Sequence, residues 1–274
     1  MVHRLIAGCV MLIVVLCAVT PVAAQAAEAR VRVVHASPDA GPLDVLIDGK
    51  VMLTALLFQN VSEYLPLPTG AHQITVVPTG QNASAAIFRL DLAAQPERAY
   101  TVATIGLKRT NTLTSDVYDD SLVLPPPGHA MIRLIHASPD APGIDVAVKG
   151  CTTLFGNVNY LHSTEYLAVS AGAYDLVFKL AGTDTVMLDL NGAHLRAGMI
   201  YDVISMGQYR DRGFRATLAQ HLPDSAVVRV ASTTAPVTTV SLDTCARSVF
   251  AARPGMPARW VVLGNGEPPR YRAE

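Results

Sequence analysis

Short apolar runs separated by turn residues set the rhythm of this chain. VRVVHA (31–36), LDVLID (43–48), HQITVVP (72–78), IFRLDL (87–92) and YTVATIG (100–106) are rich in Val, Ile, Thr and Tyr. They alternate in part between apolar and polar positions and are bounded by Gly, Pro, Asn and Asp. Side chains alternate between the two faces of a strand, so these runs read as β-strands with a buried face. Asp48-Gly49 is a hairpin turn signal, and Thr69-Gly70 and Ala171-Gly172 mark later turns. No segment after residue 26 keeps a helical period for three turns. Thr54 to Asn60 is ambiguous, a short helical connection being one reading.

The pattern is written twice. ARVRVVHASPDAGPLDVLIDGK (29–50) returns as AMIRLIHASPDAPGIDVAVKG (130–150), and SEYLPLPTGAHQITV (62–76) as TEYLAVSAGAYDLVF (164–178). FRLDL (88–92) matches VMLDL (186–190), and AYTVATIG (99–106) matches IYDVISMG (200–207). Four blocks in one order at nearly constant spacing define a duplicated domain. The expected boundaries are 29–123 for repeat one, a stiff Pro-rich linker at 124–129, and 130–222 for repeat two. Strands at this spacing in units of small-domain size predict an all-β fold. We expect two tandem antiparallel β-sandwiches, immunoglobulin-like in architecture, without the Cys…Trp…Cys signature, since the sole Trp is Trp260. Residues 223–274 read as a degenerate partial repeat: AVVRVAS (226–232) echoes the opening strands, with Arg229 at the place of Arg32 and Arg133.

Export follows from the first residues. A basic start at His3 and Arg4, an apolar run from Leu5 to Val19, Pro21, and Ala24-Gln25-Ala26 fit a secretory signal over 1–26. Retention of the same stretch as an anchor is the rival reading. With Arg4 removed from the 21 Lys+Arg, against 22 Asp+Glu, the remaining formal charge is −2. That balance, with no basic run, excludes a nucleic-acid surface, and no later segment is apolar enough to span a membrane as a helix. Cys151 and Cys245 remain after the signal, an even pair in an exported chain, and are expected to form a disulfide.

The R-V-V-H-A-S-P-D-A opening, the L-D-V or I-D-V that follows, the E-Y-L block and the closing Y-x-V strand together resemble domain-of-unknown-function family 4397. The resemblance covers both repeats. It implies a secreted, β-rich surface or envelope module, often in tandem copies, and brings no catalytic residues with it.

The candidate chemistry lies in HASPDA, present at 35–40 and again at 136–141. His35, Asp39 and Asp44, with His136, Asp140 and Asp145, form H-x-x-x-D-x-x-x-x-D in each copy. One imidazole and two carboxylates could hold a divalent metal or serve a hydrolytic water, although the spacing fits no named motif. The competing reading is a strand-to-turn corner. Pro38 and Pro139 would hold the preceding serines extended, the aspartates would cap a tight turn through backbone N–H groups, and the histidines would bond nearby carbonyls. Glu63-Tyr64 and Glu165-Tyr166 are also shared, and a Tyr with a buried ring and a bonded hydroxyl is the expected role. Neither G-x-S-x-G, nor H-E-x-x-H, nor a P-loop occurs. The expectation is a non-enzymatic, secreted or envelope module for binding, adhesion or surface structure. It needs no cofactor or metal, and its partner would be an extracellular protein or glycan met by loops or by the cleft between domains. The alternative is a metal-assisted hydrolase built on the HASPDA residues.

Overall fold

A computed structural model describes residues 28–120 and 124–223, residues 239, 240 and 242, and the backbone of 258–261 and 270–273. The expected signal at 1–26, Arg229 and Cys245, the expected partner of Cys151, lie outside the described residues. Repeat one contains β1 (Ala29–His35), β2 (Leu43–Ile47), β3 (Lys50–Leu56), β4 (Leu65–Leu67), β5 (Gly70–Pro78), β6 (Phe88–Ala94), β7 (Ala99–Ile105) and β8 (Thr114–Asp119). Repeat two follows with β9 (His129–His136), β10 (Ile144–Val148), β11 (Thr153–Val158), β12 (Leu167–Ser170), β13 (Gly172–Leu180), β14 (Val186–Leu195), β15 (Ile200–Met206) and β16 (Arg215–His221). Each repeat is a pair of sheets, β4-β1-β7-β8 on β3-β2-β5-β6, then β12-β9-β15-β16 on β11-β10-β13-β14.

Two details differ from the sequence pattern. The central pairs β1–β7 and β9–β15 run parallel, because the chain crosses to the second sheet between them and returns in the same direction. Thr54 to Asn60 is not helical. β3 continues to Leu56 with register shifts against β2, and Ala55 and Gln59 take positive φ values of 53° and 73°. Bulges of this kind erase a clean period of two.

Period two explains the burial of the central strands. In β1, Val31 and Val33 enter the core of repeat one with Leu43, Val45, Ile74 and Val76. Their neighbours point the other way, so Val34 packs with Ala103 and Ile105 of β7 against Ile135, Ala137, Ile204 and Met206 of repeat two. In repeat two, Ile132, Leu134, Tyr201 and Val203 face the second core. The sheets β4-β1-β7-β8 and β12-β9-β15-β16 are therefore covered on both faces, which makes all seven residues of β7 and of β15 buried. Equivalent residues of the two repeats meet at the junction, as an approximate two-fold relation requires. The molecule is four sheets deep, with the repeats docked through their inner sheets.

The described part of the tail starts on the edge of repeat two. β17 (Thr239–Val240) runs parallel to β12, and Leu242 is fully buried in the second core. In repeat one the matching edge strand β4 carries Pro66 where β12 has Ala168, and a proline offers no N–H to a further strand. β18 (Ala258–Val261) and β19 (Arg270–Ala273) pair as an antiparallel ladder.

Gly106 and Gly207 close the central strands with φ values of +92° and +80°. A Cβ at either position would stand 2.1 Å from a backbone oxygen, that of Thr112 or Gly213. Gly106→Ala and Gly207→Ala should each lower stability by about 2 kcal/mol or more in urea unfolding, from strain and forced backbone movement together.

Candidate functional site

HASPDA ends β1 and β9, and its side chains go to backbone. His35 is fully buried, and its Nε2–H donates to the Gly41 carbonyl at 2.7 Å. His136 Nε2–H donates to the Pro142 carbonyl at 3.1 Å, while its Nδ1 lies 3.2 Å from the Ser205 hydroxyl. Burial lowers both imidazole pKa values despite the carbonyl bonds, so both rings are neutral at pH 7. Asp39 accepts from the backbone N–H groups of Lys108 and Arg109 at 2.7 and 3.0 Å. Asp140 does the same with Tyr209 and Arg210 at 2.7 and 3.1 Å. Each motif aspartate thus ties the first corner of its repeat to the turn after the last central strand.

Asp44 accepts from Ala55 N, Gly80 N and Thr79 Oγ1 at 2.8, 2.9 and 2.9 Å. Asp145 accepts from Asn157 N and Gly182 N at 2.7 and 2.9 Å. Burial would raise Asp39 and Asp44, yet the N–H donors outweigh it and hold both below the usual carboxylate range. The three candidate side chains of each repeat bond to four separate backbone stretches, residues 41, 55, 80 and 108–109 in repeat one and 142, 157, 182 and 209–210 in repeat two. Among the described residues no group of three or more His, Cys, Asp or Glu could hold a metal ion.

The junction of the repeats carries a different cluster. Arg32 on β1 and Arg133 on β9 point away from their own cores and are 2% and 3% exposed, respectively, with Asp120 and Asp202 wholly buried between them. Arg32 donates from Nε to Thr101 Oγ1 at 2.8 Å and from Nη2 to Asp202. Arg133 donates from Nε to Asp202 at 2.6 Å, from Nη1 to the Asp119 carbonyl at 2.9 Å and from Nη2 to Asp120. Thr101 and Tyr64 donate to Asp120 at 2.6 and 2.5 Å, and Tyr166 donates to Asp202 at 3.0 Å. Arg32 and Arg133 also lie over the rings of Tyr64 and Tyr166, 4.8 and 4.7 Å from the centroids. Two guanidinium ions thus meet two carboxylates, each repeat supplying one of each.

Burial pushes Asp202 up, but Arg133, Arg32 and His221 outweigh it and hold the carboxyl below its ordinary value. Asp120 is raised by burial and then by Asp202, against the pull of the same arginines. His221, at the end of β16, packs edge-on against Tyr64 with 5.5 Å between centroids. Burial and then Arg32 push its imidazole down to about 4, against the opposing pull of Asp202.

A cavity of about 580 Å³ opens beside this cluster, between Arg30, Arg32 and residues 59–64 of repeat one and residues 217–222 of repeat two. It is of the size that small-ligand sites usually have. The motif reading did not pick out Arg32, Thr101, Asp120, Arg133, Asp202 and His221 as a site. The available signal was a charge at an alternate position of an apolar strand, VRVV and IRLI, and the x of the Y-x-V strand, which is Thr101 or Asp202.

The chain belongs to the family described as "Domain of unknown function (DUF4397)", whose model matches residues 29–147 and again 130–249. Among the curated proteins nothing matches. Among solved structures, the chain is similar to a family 26 carbohydrate-binding module of Eubacterium rectale Amy13K in complex with maltoheptaose. There the identity is 12%, the coverage 72% of this chain and 99% of that one, and the TM-score 0.23. A candidate cell adhesion protein of Parabacteroides distasonis matches at 8% identity, with 72% and 99% coverage and a TM-score of 0.20. The Bacillus anthracis TIE protein matches at 7%, with 66% of this chain, 34% of that one and a TM-score of 0.21.

The histidines give stability a defined pH dependence. As pH falls below about 6.5 the unfolded chain takes up protons on His35, His136 and His221 that the folded chain resists, down to about pH 4 in the case of His221, so stability falls with pH. His72 and Asp120 have the opposite sign, since Asp48 raises the first and burial the second; the His72 pair contributes little because its carboxylate is exposed, and Asp120 is one group against three. Thermal unfolding should give a Tm that drops from pH 7 to 4.5, with a shallower slope in His221→Gln; a flat profile contradicts the neutral, buried state of these rings.

Proposed function

We propose that this protein is a non-enzymatic recognition module of the cell exterior or envelope, binding an extracellular ligand in the cleft between its two repeats. The observation that carries the reading is the division of labour among polar residues. The repeated motif residues His35, Asp39 and Asp44, and their counterparts His136, Asp140 and Asp145, are engaged with backbone, which supports a corner that frames each repeat. None of them lines the cleft, and the serine hydroxyl beside a motif imidazole, Ser205 next to His136, is wholly buried with it, out of reach of a substrate. The cleft joins polar side chains from both repeats on a body stiffened by four stacked sheets. Rigid scaffolds that present such a concave surface lose little ordering entropy on binding.

Export, read from the first 26 residues, supports an extracytoplasmic ligand, protein or glycan. No helix among the described residues is long and apolar enough to cross a membrane. The same backbone bonds weigh against a metal-assisted hydrolase at HASPDA, because a metal would have to displace N–H donors from the carboxylates.

The test fills the cleft. Ala219 on β16 is 8% exposed and lines the cavity. Ala219→Tyr, at the edge of the junction cluster, should keep the fold at a cost of about 1–3 kcal/mol in unfolding stability. Any ligand recovered from an array of glycans and envelope components should bind this variant at least about tenfold more weakly. A ligand that binds both proteins equally places recognition elsewhere on the surface.

A further inference from the structure

The two repeats do not contribute equally to the junction, and the difference defines one seat. At an offset of 101 residues, Arg30, Ala219 and His221 on the cleft correspond to Met131, Tyr118 and Asp120. Met131, Tyr118 and Asp120 are all buried, at 1%, 5% and 0% exposure. Where repeat one has the bulk of Tyr118, the cleft has the methyl group of Ala219. Where repeat one has the carboxylate of Asp120, taken up by Arg133, Tyr64 and Thr101, the cleft has an imidazole.

That imidazole is poorly served by its surroundings. His221 is 9% exposed, and neither ring nitrogen makes a hydrogen bond of ordinary geometry, the backbone of Leu222 being within weak electrostatic reach only. The Asp202 carboxylate stands 3.8 Å from Nε2, beyond hydrogen-bond reach. The neighbouring guanidinium borders the same place. Arg133 bonds within the protein through Nε, Nη1 and Nη2, whereas Arg32 does so through Nε and Nη2 and lines the cavity. A buried donor left unmade costs about 1–3 kcal/mol, and a ligand acceptor that satisfies it recovers that cost.

We propose that the cleft seats the carboxylate of an acidic sugar, which takes at His221 and Arg32 the place that Asp120 holds at the equivalent position. This deepens the cleft-binding reading above and rests on it. A bidentate oxyanion matches a planar guanidinium, and the imidazole supplies a further N–H donor from its Nε2 or Nδ1. Arg30 lies at the mouth, 5.3 Å over the Tyr64 ring, and Glu63 stands exposed on the rim, where solvent screens it. Gln59, Asn60 and Thr217 line the remainder, and their amides and hydroxyl suit a hydroxylated ring. Tyr64 already carries Arg30 and Arg32 over its ring and His221 at its edge, so recognition runs through hydrogen bonds and charge, not through stacking on this ring.

Protein-observed NMR titration of the intact chain with glucuronic acid, glucose and acetate tests this. Glucuronic acid should bind at least about tenfold more tightly than either. His221→Asp, which installs a protein carboxylate in the seat, should abolish that binding while circular dichroism shows the fold retained. Ala219→Tyr should abolish it as well, and it decides the matter if His221→Asp does not fold. Equal binding of glucose overturns the carboxylate seat and leaves the cleft reading standing if Ala219→Tyr blocks both sugars. Acetate binding as tightly as glucuronic acid overturns the sugar assignment. Undiminished glucuronic acid binding by both variants overturns the seat and the cleft together.

Discussion

Four ionisable side chains removed from water, Arg32, Arg133, Asp120 and Asp202, fix how this molecule is assembled. Each is 3% exposed or less, and each finds its opposite charge across or beside the junction of the repeats. Separated from one another, they would be buried charges without partners, and removing one partner from such a set typically costs about 3–5 kcal/mol. Their net contribution against an apolar interface is small, so the attraction between the repeats comes from the surrounding Val, Ile, Ala and Met faces. What the charges add is register. A slide of one sheet over the other would leave guanidinium groups facing aliphatic side chains, which confines the repeats to one docking and keeps the cleft in one shape.

The duplication was used in two ways. HASPDA was kept whole in both copies, and each copy does the same structural work, joining its first corner to its last turn through a carboxylate that accepts two backbone N–H bonds. The junction was varied instead. Thr101 corresponds to Asp202, Asp120 to His221, Tyr118 to Ala219 and Arg30 to Met131. Equal copies would have produced a symmetric, closed contact. The unequal ones leave a cleft whose polar groups come from both repeats, and a site of that kind exists only in the docked pair.

The sequence carried the fold well because period two and turn chemistry are local. The strands around Val31–Val33, Val45–Ile47 and Val102–Ile105 were legible from their own residues, and the repeat could be read by eye. The parallel pairing of β1 with β7 was not, since no local pattern records the direction of a strand some 70 residues away. The bulges at Ala55 and Gln59 blurred the period and made a strand end resemble a helical turn. For the site, the repeated histidines and aspartates drew attention because they are a compact motif. Arg32, Asp120, Asp202 and His221 are scattered, and an arginine inside an apolar strand reads as a solvent-facing position until a second sheet is known to cover it. Only the docking of the repeats gives these residues their meaning.

The central claim is that the repeats form one cooperative body held in register by the buried charges. Differential scanning calorimetry of the intact chain at neutral pH tests it most directly. The account predicts a single transition with calorimetric and van't Hoff enthalpies that agree, because neither repeat can open without stranding charges in the other. Two resolved transitions, one for each repeat, would contradict it.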